Sequence, residues 1–222
     1  MAPDPAPRAA PRQDPGLAEL LGGRAGAVDA SVPVAAFVVT WLITGWTGAV
    51  YPINWGAGAA IVAGAVVAGW RIRAGRKPRA VLFGLAGVVA AAAIVLITGR
   101  ASDFFLVQIV SNAGSALAWA ISIVVRWPLL GVVVGGLLGQ RTRWRRDPDL
   151  LRGYQRASWA WVSQYVVRLA VFLPLWAADQ VVLLGLARTV LSPVLVGLSV
   201  LASWPLLRTA LPDDHPGIRH PR

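Results

Sequence analysis

From Phe104 to Val125 the chain runs 22 residues without a charge. As a helix rising 1.5 Å per residue, such a run covers about 33 Å, enough to cross the hydrocarbon core of a bilayer. The run stops at Arg126-Trp127-Pro128. Proline has no backbone N–H and disfavours helix at the residue before it, so the helix is predicted to end there. Leu129 to Gln140 (LLGVVVGGLLGQ) follows, with only 12 residues. It would reach about 18 Å as a helix, too short to span unaided. Gly131, Gly135, Gly136 and Gly139 let another backbone approach closely. The segment reads as a half-helix or re-entrant element packed in protein, since irregular backbone at membrane depth is tolerated only there or beside a wet cavity.

Further apolar runs predict spans at about 34–50, 54–70, 81–98, 157–177 and 180–207. With 56% hydrophobic and 14% charged residues, an ordinary soluble domain is excluded. The expected fold is all-α: a polytopic helical membrane protein of six transmembrane helices plus one short re-entrant or half-helix at 129–140. Residues 1–30 form a Pro/Ala-rich cytoplasmic tail expected to be disordered, with a short amphipathic turn within Leu17 to Val28. Residues 31–208 form the membrane domain, and 209–222 a second disordered cytoplasmic tail.

Charge sets the orientation. The loops at 71–79 and 141–156 hold eleven Lys or Arg, among them Arg71, Arg73, Arg76, Lys77, Arg79, Arg141, Arg143, Arg145 and Arg146. The turns at 51–53, 99–103 and 178–179 hold one, Arg100. Positive charge stays on the cytoplasmic side, so both basic loops and both termini are expected there, in a bacterial plasma membrane. That holds only if 129–140 does not cross. Several of the eleven Trp, including Trp55, Trp70, Trp127, Trp144, Trp159, Trp176 and Trp204, fall near span ends, as an aromatic belt requires. The net charge of +11 is therefore read as topology and as contact with anionic headgroups, not as nucleic-acid binding. A protein partner at loop 141–156 is the alternative use of those arginines.

The absence of Cys leaves no thiolate nucleophile, and the two His stand at 215 and 220, so no cofactor or metal site is expected in the spans. Arg168 and Arg188 are out of place. They lie 11 residues before and 9 after Asp179, about 14 to 17 Å below that turn by helical rise. An arginine there costs about 2.5 kcal/mol or more on insertion scales. In one reading the pair faces an anion in a polar pocket with Gln108, Asn112, Gln164 and Tyr165. In the other, each is capped by helix carbonyls, amides or the rim acids Asp103 and Asp179, or snorkels outward. Gln108 and Asn112 belong to a polar stripe with Ser111, Ser115, Trp119 and Ser122 on the 104–125 helix. Catalysis would need Asp103 and Asp179 to converge as acid and base, and is not expected. The function read from these features is a non-enzymatic envelope-associated protein binding lipids or partners. The alternative is a transporter or channel-like protein for a small anionic or amphipathic solute, using the paired arginines.

Asp103-Phe104-Phe105, Arg126-Trp127-Pro128-Leu129, Trp144-Arg145-Arg146-Asp147 and Arg168-Leu169-Ala170, in that order, resemble the actinobacterial membrane family called domain of unknown function 3159, over about residues 17–208. The resemblance implies a bacterial inner-membrane protein and brings no established activity. Asn112, Pro128-Leu129, Gly139 and Trp144 also stand in the order seen in the septation protein A family of inner-membrane proteins. That more distant likeness implies an envelope or division-linked role.

Overall fold

The computed structural model describes residues 23–222 apart from Lys77, Arg141, Asp213, Arg219, His220 and Arg222, with backbone only for 23–30 and Ala80. Residues 1–22, most of the expected N-terminal tail, lie outside the described residues.

The described elements are helical, with α1 at Gly23–Trp46, α2 at Pro52–Arg73 and α3 at Pro78–Thr98. A 3-10 turn at Ala101–Phe105 leads into α4 at Leu106–Val124 and the short α5 at Leu129–Leu137. A second 3-10 turn, Arg143–Arg145, precedes α6 at Pro148–Ala177 and α7 at Val181–Arg208. Five segments are long and apolar enough to cross a membrane: Pro52–Arg73, Val81–Thr98, Ala101–Val124, Pro148–Ala177 and Val181–Arg208. Within α1 the apolar part, Ser31–Trp46, is shorter. This is the architecture of a multi-pass membrane protein. α1 starts at Gly23, ahead of the domain boundary expected at residue 31. It also stops at Trp46, so the first turn is 47–51 rather than 51–53. At nine residues, α5 is about 14 Å long and cannot cross.

Five helices stop in the same way. At the ends of α1, α2, α4, α5 and α6 one residue takes a positive φ, its N–H bonds three residues back, and the next N–H bonds five residues back. This satisfies carbonyls that the last turn leaves open. Glycine holds the position three times; Arg126 (φ 55°) and Asp179 (φ 53°) hold it at the ends of α4 and α6. Pro128 thus ends α4 as expected. It is helped by Ser122, whose Oγ donates to the Trp119 carbonyl at 2.7 Å and accepts from the Leu129 N–H at 3.2 Å. α6 begins on Asp147, whose Oδ1 accepts from the N–H groups of Asp149 and Leu150. Pro148 follows at the first helical position, where no N–H is missed.

Long neighbour-to-neighbour packing joins α1 with α2, α2 with α3, α4 with α6, and α6 with α7. By contrast α3 meets α4 only sparsely, leaving a seam between the α1–α3 group and the α4–α7 group. One core crosses that seam: Phe37 stacks on Phe104 at 4.2 Å between ring centres, with Phe105, Phe172 and Leu184 buried around them. A second core lies where α5, α6 and the end of α7 meet. There Trp144, Tyr154 and Leu150 are wholly buried. A Cβ on Gly131 would stand 2.8 Å from the Trp144 ring, and one on Gly153 would stand 2.9 Å from Leu207. Of the glycines of 129–140, Gly131 is closely approached as expected, while a Cβ on Gly136 or Gly139 would meet nothing within 4 Å. The outer faces carry exposed apolar residues such as Phe83, Ile97, Val124 and Leu201. That is the reverse of a water-facing surface and suits a hydrocarbon solvent.

Two expectations change at the second core. Trp144 is not a belt residue lying on the membrane surface: its ring is sunk against Gly131 and Tyr154. The C-terminal segment, expected to be disordered, makes contacts there at Leu211, His215 and Ile218. His215 Nε2 donates to Asp147 Oδ2 at 2.9 Å, because its Nδ1 already accepts the Gly217 N–H. Gln140 Nε2 donates to the Ile218 carbonyl at 2.7 Å, and Leu211 and Ile218 pack on the cluster.

Candidate functional site

Arg168 and Arg188 sit on neighbouring antiparallel helices, yet the structure separates them. Arg168, on α6, is buried and bonded within the bundle. Its guanidinium donates to Gln164 Oε1 at 3.1 Å, one turn earlier, and to the Ser192 carbonyl of α7 at 2.9 Å. That carbonyl belongs to the residue just before Pro193, inside α7. The Tyr165 ring lies 5.4 Å from the guanidinium carbon. Arg168 therefore follows the capped reading, with Gln164 and Tyr165 as its structural partners. Arg168 Nε and Gln164 Nε2 are buried donors without a protein acceptor.

Arg188 points elsewhere. It is half-buried and has no hydrogen-bond or ion-pair partner among the described residues. It lines two cavities in the seam, of about 170 and 150 Å³, and no residue of α6 lines either. The first cavity is walled by α1, α2 and α3, with Arg71, Gly84, Leu85 and Val88. The second lies between α3 and α4, with Gln108, Ser111 and Phe104; Gly84 and Val88 border both. A Cβ on Gly84 or Gly87 would meet nothing within 4 Å, so the glycines of α3 help leave this space open. Gln108 and Arg188 thus come together as the anion-pocket reading requires, with Ser111 from the same stripe. Asn112 does not line either cavity. It is buried and accepts from Gln108 Nε2 at 3.2 Å, leaving its own amide N–H groups without an acceptor.

The acids do not serve as counter-charges. Asp103 is buried and accepts from Trp176 Nε1 at 2.7 Å, while Arg100 donates to the Trp176 carbonyl and lies over its ring. Asp179 is exposed in the left-handed turn after α6. Neither contacts Arg168 or Arg188. Ser102 Oγ is buried with no partner, so its neighbour Asp103 does not activate it. Of the basic loops, Arg73, Arg76, Arg79, Arg143, Arg145 and Arg146 are exposed, and Arg145 stacks on Trp127 at 3.8 Å. Lys77 and Arg141 lie outside the described residues. No group of three metal-ligating side chains occurs among the described residues.

Sequence reasoning missed three parts of this picture. Arg71 read only as a loop charge, yet it also lines the first cavity. Asp147 read as a loop acid, although an Asp before Pro at a helix start is a recognisable N-cap. His215 carried no local signal at all, since its partner is 68 residues away.

No curated protein and no solved structure matches the chain. A family model described as protein of unknown function (DUF3159) matches residues 21–214. The match takes in α3, α4 and α7, which carry the cavities around Arg188, and the Trp144 cluster. The chain therefore belongs to DUF3159, a family of proteins of unknown function.

Proposed function

We propose that this is a non-enzymatic, envelope-associated protein of a bacterial plasma membrane that binds lipid within and beside its helical bundle. Both termini and both basic loops are cytoplasmic, and α5 enters the membrane from that side and returns. The observation that carries the reading is Arg188, a cation held in the seam with space on two sides and no hydrogen-bond or ion-pair partner among the described residues. A residue so expensive to bury has its acceptor outside the chain.

Contacts within the bundle support the orientation. Gln155 near the start of α6 donates to the Ile123 carbonyl at the end of α4, and Gly153 faces Leu207 at the end of α7. Trp176 at the far end of α6 meets Asp103 and Arg100. The arginine-rich segment 143–146 therefore shares one end with the C-terminus, and the sparsely charged turns share the other. Exposed arginines there meet anionic headgroups. The transporter reading is favoured by one feature only, the placing of Arg188 between two cavities. A mechanism resting on paired arginines has no support, because Arg168 turns to Gln164 and Ser192 and lines neither cavity.

Because the chain has no Cys, single cysteines report sidedness without background. With a membrane-impermeant maleimide on intact cells, Ala178→Cys should label, and Arg76→Cys and Arg143→Cys should label only after lysis. Equal labelling of Ala178→Cys and Arg143→Cys from outside would refute the topology. Lipid analysis of the purified protein tests the binding: a phosphate-bearing lipid enriched over the bulk membrane extract is expected.

A further inference from the structure

We propose that Asn112, Gln164 and Arg168 hold a chloride-sized anion inside the bundle, where α4, α6 and α7 meet. The site is separate from the seam around Arg188 and does not depend on lipid binding there.

Three contacts set the register of α4 on α6. Gln155 donates to the Ile123 carbonyl, Trp161 stacks on Trp119 at 5.1 Å between ring centres, and Trp176 donates to Asp103. The two helices are therefore antiparallel. Asn112 stands seven residues before Trp119, and Arg168 seven after Trp161. Seven residues are two helical turns, about 10.5 Å along the axis, and return to nearly the same face. Asn112 and Arg168 thus lie level with each other, on the faces that bring the two indole rings together. Gln164 shares the Arg168 face one turn nearer the rings, and Arg168 reaches the Ser192 carbonyl of α7 from the same place.

All three side chains are more than nine-tenths buried, and each keeps an N–H without an acceptor: Asn112 Nδ2, Gln164 Nε2 and Arg168 Nε. The amide oxygens are already engaged, since Asn112 Oδ1 accepts from Gln108 and Gln164 Oε1 from Arg168. Leaving one such donor unpaired in a bilayer interior is costly, and three at one level of the bundle point to a shared acceptor. Among the described residues no acid serves them. Asp103 accepts from Trp176, eight residues or about 12 Å beyond Arg168 by helical rise, and Asp179 is exposed in the turn after α6. The shared partner must accept from all three, donate to none and balance the guanidinium charge in a poor solvent for ions. An anion meets these needs. A water molecule would have to place its own two hydrogens among oxygens already taken. Neither seam cavity is lined by these residues, and the Trp119–Trp161 pair and Phe172 flank the site along α6. A monatomic ion takes the least room there and accepts from any direction.

The test follows thermal unfolding of the full-length protein in a maltoside detergent, with sodium gluconate replaced stepwise by sodium chloride at constant ionic strength. Chloride that binds the folded state alone should raise the wild-type midpoint, by about 5–10 °C at a hundredfold excess over its dissociation constant. Asn112→Asp places a carboxylate opposite Arg168 and should remove the chloride shift while holding or raising the midpoint in gluconate. Asn112→Leu deletes one donor and should raise the half-maximal chloride concentration by about tenfold or more. No chloride shift in wild type would overturn the site, leaving the three donors to an internal water or to an Asn112 oxygen turned toward them. A shift that persists in Asn112→Asp but vanishes in Arg188→Gln would move the ion to the seam and overturn the assignment. Should the Asn112 variants fail to fold, anomalous scattering from wild-type crystals grown in sodium bromide decides. A bromide within hydrogen-bond reach of Asn112 and Arg168 is expected, and its absence there would overturn the site.

Discussion

Replacing Gly131 by Ala tests whether the second core is as tight as its geometry states. The added Cβ would lie 2.8 Å from two atoms of the Trp144 six-membered ring and 3.0 Å from a third. That ring is fully buried and held edge-to-face by Tyr154, so it cannot swing aside into solvent. Forcing extra volume into a packed core costs about 1–3 kcal/mol. Against this, Gly→Ala inside a helix gains about 1 kcal/mol. The net change should lie between neutral and a loss of about 2 kcal/mol, from the balance of those two terms. Gly136, on the same short helix, is the internal control, since a Cβ there meets nothing within 4 Å. Gly136→Ala should therefore gain up to about 1 kcal/mol. Thermal unfolding of both variants in one detergent, at one scan rate, reads the difference. For a chain of this size each kcal/mol moves the midpoint by about 2–4 °C. Trp144→Phe, which removes most of the clashing ring, should abolish the cost of Gly131→Ala in a double-mutant cycle. If Gly131→Ala is as benign as Gly136→Ala, the Trp144 contact is looser than described and the argument for a tightly packed α5 fails.

Two further outcomes follow from hydrogen-bond accounting. Arg168→Met leaves the buried Gln164 Oε1 without its donor, at about 1–3 kcal/mol for a buried group left unsatisfied, whereas Arg188→Met removes no hydrogen bond among the described residues. In delipidated detergent the first should lower the unfolding midpoint more than the second, and the opposite order would refute the assignment of roles. Asp147→Ala removes the N-cap of α6 and the acceptor for His215 together. The cap alone is worth about 0.5–2 kcal/mol. Limited proteolysis should then cut within 209–218 faster than in wild type, and an unchanged rate would show that the segment is held by other contacts.

What was legible in the sequence was whatever depends on distance along a helix. The length of 104–125, the stop at Pro128 and the shortness of 129–140 all follow from rise per residue and from proline chemistry. The places of the two arginines along their helices, eleven residues before Asp179 and nine after it, were legible for the same reason. Their direction was not. Depth is one coordinate, and the angle around the helix axis depends on which neighbours pack against it. Nothing in the local sequence of α7 states that Arg188 turns toward α1, α3 and α4. Likewise Trp144 beside four arginines reads as a surface anchor, and only Gly131, thirteen residues earlier, shows that the ring has a slot to enter. Long-range partners such as Asp147 with His215, or Trp176 with Asp103, leave no trace in residue spacing.

The two arginines show how a membrane fold separates structure from availability. Both carry a fixed positive charge, and both reside where solvation by water is poor. At Arg168 the chain supplies acceptors, an amide one turn away and a carbonyl from the neighbouring helix beside a proline. An acceptor added from outside at Nη2, which makes both bonds, would compete with them. At Arg188 the chain supplies space, small residues on α3 and no hydrogen-bond or ion-pair partner among the described residues. A methionine would fill the same volume with no charge to desolvate. Under the lipid-binding reading the acceptor for this arginine comes from outside the chain, and one that matches its fork while lying against apolar walls has the chemistry of a lipid phosphate.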